Sequence, residues 1–577
     1  METNIGRSTA NRQGHALLLT ILFLGVSAII LAAALNWSRS NVFLNERNNQ
    51  YFRSLAAAEA ATEKVLTQIK MDYDAEGENM VFANLPLYRA MIPSGTENRD
   101  WNSYIFYDLQ NTPSRTTVEN SASTEYRDLA SQYRGLRGYA TPIRIASRVR
   151  EAARVINVVG GIQQDVDLAS IPIFQFAIFY NIDLEINPGP PMTVTGPVHC
   201  NANIYVDPAN VLTFNSDVTA AGEIIHDRKP GDPQVRNGSV VYRAEHTSRV
   251  SSLNLPIGTN NSASTVRLIV EVPPPPAIES LTSLMGRQRF HNKADLVILV
   301  TNGIGGSFTN PAVIASSGAF DVFTTKVPAS EVDKFMSTTN TVWFKNNREG
   351  KTVTTLQLDI AKLINWNNNN TVLKPNLPYP DKNIRIVYIA DLRTGRPANT
   401  EPGVRLINGQ TLLPSGLTVA SPNPMYIKGH YNAPAGHLGT ANTSATRPAA
   451  VIGDSITILS SAFNDSSGGG TAVDTTVNAA FLAGIVETVS GSYSGGVENF
   501  PRFLENWGSD NTFTYNGSMV VMFDSRWATA PWNSGGGGYY NPPTRRWAFD
   551  QNFREVTKLP PGTPMMRVLV RGNWAKL

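Results

Sequence analysis

"MTVTGPVHCNANIYV" (192–206) written above "LTFNSDVTAAGEIIH" (212–226) sets like against like. Met192 meets Leu212, Val194 meets Phe214, Val198 meets Val218 and Ile204 meets Ile224, each pair 20 positions apart. The small turn residues Gly196 and Ser216 coincide as well. Apolar segments this short cannot bury themselves, but stacked on near-copies they share one core. The repeat predicts parallel rungs of a β-solenoid-like body over 171–226, with Cys200 opposite Ala220 as a small buried residue.

Further along, the same kind of material returns at irregular spacing. "VRLING" (404–409), "GLTVASPNPMYIKGHYN" (416–432), "AAVIGDSITILSS" (449–461), "VNAAFLAGIVET" (477–488) and "GSMVVMFDS" (517–525) are short apolar strands between turns. They predict a distal solenoid-like part with a C-terminal cap over 403–577. Between the two parts, "EVPPPPAIESL" (271–281) contains four consecutive prolines, a stiff extended spacer. "ADLVILVTNG", "TVWFKN", "TLQLDIAKLINW" and "IRIVYIADL" follow as strands with one or two short helices, so 227–402 reads as an insertion or second lobe. On the N-terminal side, "IPIFQFAIFYN" (171–181) is an apolar aromatic strand. "GYATPIRIASRV" (138–149) and "ARVINVVGGIQQDV" (153–166) form two β segments around a charged turn, and 71–170 as a whole reads as a mixed linker and hairpin.

Composition agrees with a β-rich body. The 577 residues exceed a single compact core, and Gly 44 with Pro 36 favours many turns. Lys plus Arg 49 against Asp plus Glu 46 leaves +3, too balanced a charge to argue for nucleic acid. The single cysteine excludes an intrachain disulfide and a cysteine metal cluster.

The N-terminus is different in kind. Between Arg12 and Arg39 no side chain is charged, and Ala16–Leu35 is apolar except for Thr20, Gly25 and Ser27. About 20 such residues span a ~30 Å hydrocarbon layer, whereas a secretory apolar core is usually about 7–15. The "AAA" in "ILAAALNW" keeps a cleaved signal peptide as the plain alternative. Arg7 and Arg12 outnumber Glu2, which favours a cytoplasmic N-terminus and an outer C-terminal body. Downstream, Tyr51, Leu55, Ala58, Thr62, Val65 and Ile69 step by three and four, one helical face. The expectation is a transmembrane helix running on as an amphipathic helix over 15–70, a rod of about 80 Å from Ala16 to Ile69.

The basic leader with "RQG" (12–14), then "ALLLTILFLGVSAIILAAAL" (16–35) and "SLAAAEAATEKVL" (54–66), resembles the N-terminus of type IV pilins and pseudopilins, closest to the PilX-type minor-pilin segment. The resemblance covers about 60 of the 577 residues. It implies a leader of residues 1–14, cut by a prepilin peptidase after Gly14 to leave His15 as the mature end. Major pilins carry a glutamate five residues into the mature chain; here that position is Leu19, a departure shared with minor subunits. The stretches from "FAIFYN" (176–181) to the closing "LPPGTPMMRVLVRGNW" (559–574) also resemble bacterial envelope proteins with a PilX-like N-terminus and a solenoid-like body, which implies architecture and no activity.

No catalytic pattern competes. None of the seven histidines (His15, His199, His226, His246, His291, His430, His437) stands in an HExxH arrangement. His199 and Cys200 are neighbours on a strand and point to opposite faces. "IGDSITI" (452–458) lacks the second glycine of a nucleophile elbow, and "NGIGGSF" (302–308), "SSGGG" (466–470) and "SGGGG" (534–538) read as turns without a phosphate-binding lysine. A polysaccharide-active solenoid enzyme would need clustered carboxylates, for which Asp183, Glu185, Asp207 and Asp217 are the candidates. Turn and solvent roles suit their places near strand ends better. The sequence thus predicts a mainly β protein with a long N-terminal helix. It is expected to be a non-enzymatic subunit of a pilus-like or pseudopilus-like assembly in the inner membrane, possessing one membrane helix. The expected partners are other pilin-like subunits and the assembly machinery, with the stripe from Tyr51 to Ile69 as the assembly face and no cofactor implied. A membrane-tethered adhesin displaying "RWATAPW" (526–532) and "GYYNPPTRRW" (538–547) is the alternative.

Overall fold

The computed structural model describes residues 13–152, 157–302, 321–324, 327–338, 342–532 and 538–577. The leader residues 1–12 and the glycines within 303–308 and 534–537 lie outside the described residues.

One helix, Gln13–Glu76, runs for 64 residues without a break at Asn36. Helix formers dominate it, and it ends where Gly77 takes φ +85°, a left-handed stop that costs glycine little. Gly77 N–H closes the last turn on Tyr73 O at 3.0 Å. At 1.5 Å per residue the helix is about 96 Å long.

Its C-terminal part lies across a six-stranded antiparallel sheet. The central strands Arg137–Glu151 and Val159–Pro172 form a hairpin, and the chain's last strand, Met565–Lys576, pairs with the second of them. Alternation sets the inward faces: Val65, Leu66, Ile69 and Tyr73 of the helix pack with Ile143, Ile145, Val166 and Leu168. Tyr73 Oη donates to Ala169 O at 2.9 Å, and Arg571 clamps Glu63 from the terminal strand at 2.6 Å. Gly160 has a specific reason to be glycine: a Cβ there would lie 2.7 Å from the Leu55 backbone nitrogen, so its absence lets helix and sheet meet.

The body consists mainly of parallel strands stacked rung on rung, with antiparallel pairs where Asp321–Thr324, Met336–Ser337 and Trp343–Asn346 join. Leu212 pairs beside Met192 and Phe214 beside Val194, Val218 beside Val198, and Ile204 beside both Leu184 and Ile224. Three parallel sheets result, one per side of the rung. A further rung, Ser239–Tyr242, follows on Val211–Phe214, displaced in sequence by the loop 227–238. Side chains continue the ladder, as in Asn201 Nδ2 donating to Asn181 Oδ1 at 2.9 Å.

The stacking order is not the chain order. Ile178–Tyr180, the first strand of the repeat, pairs in parallel with Met519–Val521 of the late strand Thr512–Asp524. One 12-stranded sheet therefore runs from His246–Thr247 through the repeat and the distal strands to Ile386–Asp391, Leu296–Thr301 and Asp321–Thr324. Strands from 296–301 and 386–391 thus share a sheet with those beyond 403. The residues 248–295, prolines included, carry the chain from one end of the stack to the other. A second sheet, from Met336–Ser337 to Arg502–Phe503, backs the first. A single buried cluster reaches from Leu129 to Val570 through both parts.

Candidate functional site

The helix is divided between two environments. From residue 15 to 49 its side chains are exposed, apart from partial cover at Asn41 and Glu46, and none of them is buried among the described residues. It is the one helix among the described residues long and apolar enough to cross a membrane. Gly14 and His15 fall in its first turn. Beyond the apolar run, Trp37, Val42, Phe43 and Leu44 remain largely exposed, Phe43 and Leu44 at 50% each. From Gln50 onward the helix is docked on the sheet.

That docking places the predicted assembly stripe. Leu55, Ala58, Thr62, Val65 and Ile69 are buried and Tyr51 is half-buried, all turned to the chain's own sheet. The six residues do share one face, as their spacing demands. As a contact for other subunits that face is already covered, because the hairpin and the terminal strand offer the apolar surface that the stripe needs. Arg53 fixes the start of the docked part by pairing with Glu151 at 2.6 Å. The surface left open is the helix N-terminal to it.

The pair His199 and Cys200 is structural. Cys200 Sγ donates to the backbone carbonyls of Ile182 and Asn203, and burial pushes its thiol up to about 12, far from a nucleophile's range. His199 stacks on Phe179 with ring centroids 5.4 Å apart, and its ring nitrogens bond to Thr219 and Asn201. Burial pulls its pKa down to about 4. The unfolded imidazole, near 6.5, takes up a proton before the folded one does. Its contribution to stability is therefore complete above pH 6.5 and lost as pH falls toward 4, on the order of 3 kcal/mol. His199→Gln is expected to weaken the acid sensitivity of the melting temperature across that window. An identical pH profile for variant and wild type would show that His199 does not titrate this way.

The four carboxylates are engaged one by one. Asp183 pairs with Lys229 at 3.1 Å, Asp207 with Arg236 at 3.1 Å, and Asp217 accepts from Glu245 N–H at 3.1 Å. Glu185 is buried beside Asn187, and its carboxyl is pushed up by desolvation.

The aromatic loops have their own supports. Asp454 accepts from the backbone amides of Arg526 and Trp527, and Glu349 from those of Thr529 and Ala530, which shapes 526–532. Trp532 Nε1 donates to Tyr540 Oη at 2.7 Å, tying the two loops together. Beside them opens a groove of about 610 Å³ walled by Pro188, Pro190, Pro191, Pro542, Pro543 and Trp547. Sequence reasoning singled out the rings but passed over Asp454 and Glu349, for which a lone carboxylate in a turn is no signal.

No family model matches the chain, and no curated protein does. Among solved structures it is similar to the competence-associated pilin ComZ from Thermus thermophilus. The two are 11% identical, with a TM-score of 0.31 over 90% of this chain and 97% of that one. A likeness at that score is too slight to carry an argument.

Proposed function

We propose that the chain is a non-enzymatic structural subunit of a type IV pilus-like or pseudopilus-like assembly, a minor pilin of the PilX type. One helix holds it in the bacterial inner membrane with the N-terminus inside. The observation that carries this reading is the division of the single helix. An anchor needs only about 20 apolar residues. Here the rod continues as rigid helix to the docked segment at Gln50 and brings Val42, Phe43 and Leu44 beyond the span. Exposed large apolar side chains outside the bilayer mark a contact surface, and a rod suits packing beside other rods. The stacked parallel body, read as a β-solenoid, is the module such an assembly displays. The engaged state of His199, Cys200 and the four carboxylates supports the non-enzymatic part.

Processing tests this reading. The mature protein is expected to begin at His15 when its N-terminus is sequenced. An intact Met1 would leave a plain anchor, and a start near Asn36 would mean a removed signal peptide; either result overturns the pilin reading. A tethered adhesin is the second reading, favoured by the proline- and tryptophan-walled groove beside residues 541–547.

A further inference from the structure

Arg348 is a buried cation without an anion. It sits in the turn after the strand Trp343–Asn346, and only 7% of its surface is exposed. Six arginines are buried among the described residues. Arg267, Arg289, Arg393, Arg405 and Arg502 each hold a carboxylate, from Glu271, Glu279, Asp391, Asp465 and Glu349 respectively. Arg348 holds none, and its Nε and Nη1 are buried without any hydrogen-bond partner. The adjacent Glu349 is committed elsewhere: its oxygens accept from Arg502 at 2.7 Å and from the amides of Thr529 and Ala530.

Arg348 also lines a small cavity. Arg502, Ser455, Ser494 and Asn499 line it too, and its volume is about 20 Å³. One water needs roughly 10–15 Å³ measured in this way, so the space suits one monatomic ion and excludes a sulfate or a nucleotide. Two arginines and no aspartate or glutamate line it. Leaving a buried charge unmatched is costly, and a counter-ion is the ordinary remedy. Burial and the charge of Arg502 both push the Arg348 pKa down, the direction expected of a cation that lacks its partner.

We propose that this cavity is a binding site for a small monovalent anion of chloride size, held by Arg348 with Arg502 beside it. The ion balances the charge beneath the aromatic loops, because the Arg348 guanidinium lies 5.4 Å under the Tyr539 ring while Arg502 binds Ala530 O at 3.2 Å. The site thereby links the 346–350 turn to the loops 494–502 and 526–530.

The test uses the full-length protein in lipid nanodiscs, melted in sodium chloride and in sodium gluconate at matched ionic strength. Chloride is expected to raise the melting temperature by a few degrees in a saturable manner, because a ligand that binds only the folded state stabilises it by mass action. Arg348→Met, which keeps the length of the side chain and removes the charge, is expected to melt alike in both salts. Crystals soaked in bromide should show an anomalous peak within hydrogen-bond reach of the Arg348 guanidinium. Equal melting of the wild type in the two salts overturns the site, as does a chloride effect undiminished in Arg348→Met or a bromide-soaked crystal without that peak.

Discussion

Val65→Asp is expected to tear the helix from its sheet. Val65 is fully buried among Ile143, Ile145, Val166 and Leu168, and no cation stands in that cluster to meet a carboxylate. An uncompensated charge in such a place costs about 3–5 kcal/mol, comparable with the whole stability of many domains. The stacked body has its own buried cluster and should keep its fold. The loss should therefore show as an early, separate melting transition and as rapid tryptic cleavage at Arg53, Lys64 and Lys70. Lys70→Ala supplies the contrast. That side chain is 58% exposed and pairs only with Asp74 at the surface, so its loss is expected to cost no more than about 0.5 kcal/mol. If Val65→Asp melts and resists trypsin like the wild type, the helix is not docked as described.

The rungs between 192 and 226 were legible because their register is periodic: equal spacing put Met192 over Leu212 and Val198 over Val218, and the pairing follows that spacing. The rung at Ser239–Tyr242 was not legible, since the loop 227–238 breaks the period while leaving the strand free to stack. The junction of Ile178–Tyr180 with Met519–Val521 was beyond any local pattern. Contacts so far apart in the chain leave no periodic trace. The same holds for the terminal strand Met565–Lys576, which returns to pair with Val159–Pro172.

The helix shows a different limit. Its 3.6-residue pattern announced a buried face at Tyr51, Leu55, Ala58, Thr62, Val65 and Ile69 without announcing what buries it. Apolar spacing is the same for a partner's helix and for the chain's own sheet. Gly160 was the one local clue, a small residue where two backbones meet, and it is readable only once the contact is known. Arg348 was silent for a related reason. Five other arginines are buried with carboxylates, some as near as Asp391 to Arg393 and others as far as Glu349 from Arg502, and nothing in "FKNNREGK" (344–351) shows that this one lacks such a partner.

The free part of the helix decides between assembly and tethering. Phe43 and Leu44 lie beyond Arg39, outside the apolar run, and among the described residues both stay exposed. Phe43→Asp with Leu44→Asp puts two carboxylates where an isolated subunit keeps them in water. Insertion through Ala16–Leu35 should be unchanged, and the melting temperature of the body should shift by no more than about 0.5 kcal/mol would cause. In an assembly of packed helices the same carboxylates enter an apolar interface unpaired, at a cost of several kcal/mol per contact. The chain offers a clean readout, because its one cysteine, Cys200, is buried. With Asn45→Cys added, the only accessible thiol stands beside the altered positions. Cross-linking of the free helix to neighbouring subunits in native membranes is expected with the unaltered residues and is expected to vanish, together with incorporation into fibres, in the double aspartate variant. Lipid contact alone would show no such loss, since a tether needs no neighbour. Undiminished cross-linking and fibre incorporation by a variant of normal melting temperature would rule out packing through these residues and leave the tethered adhesin as the better account.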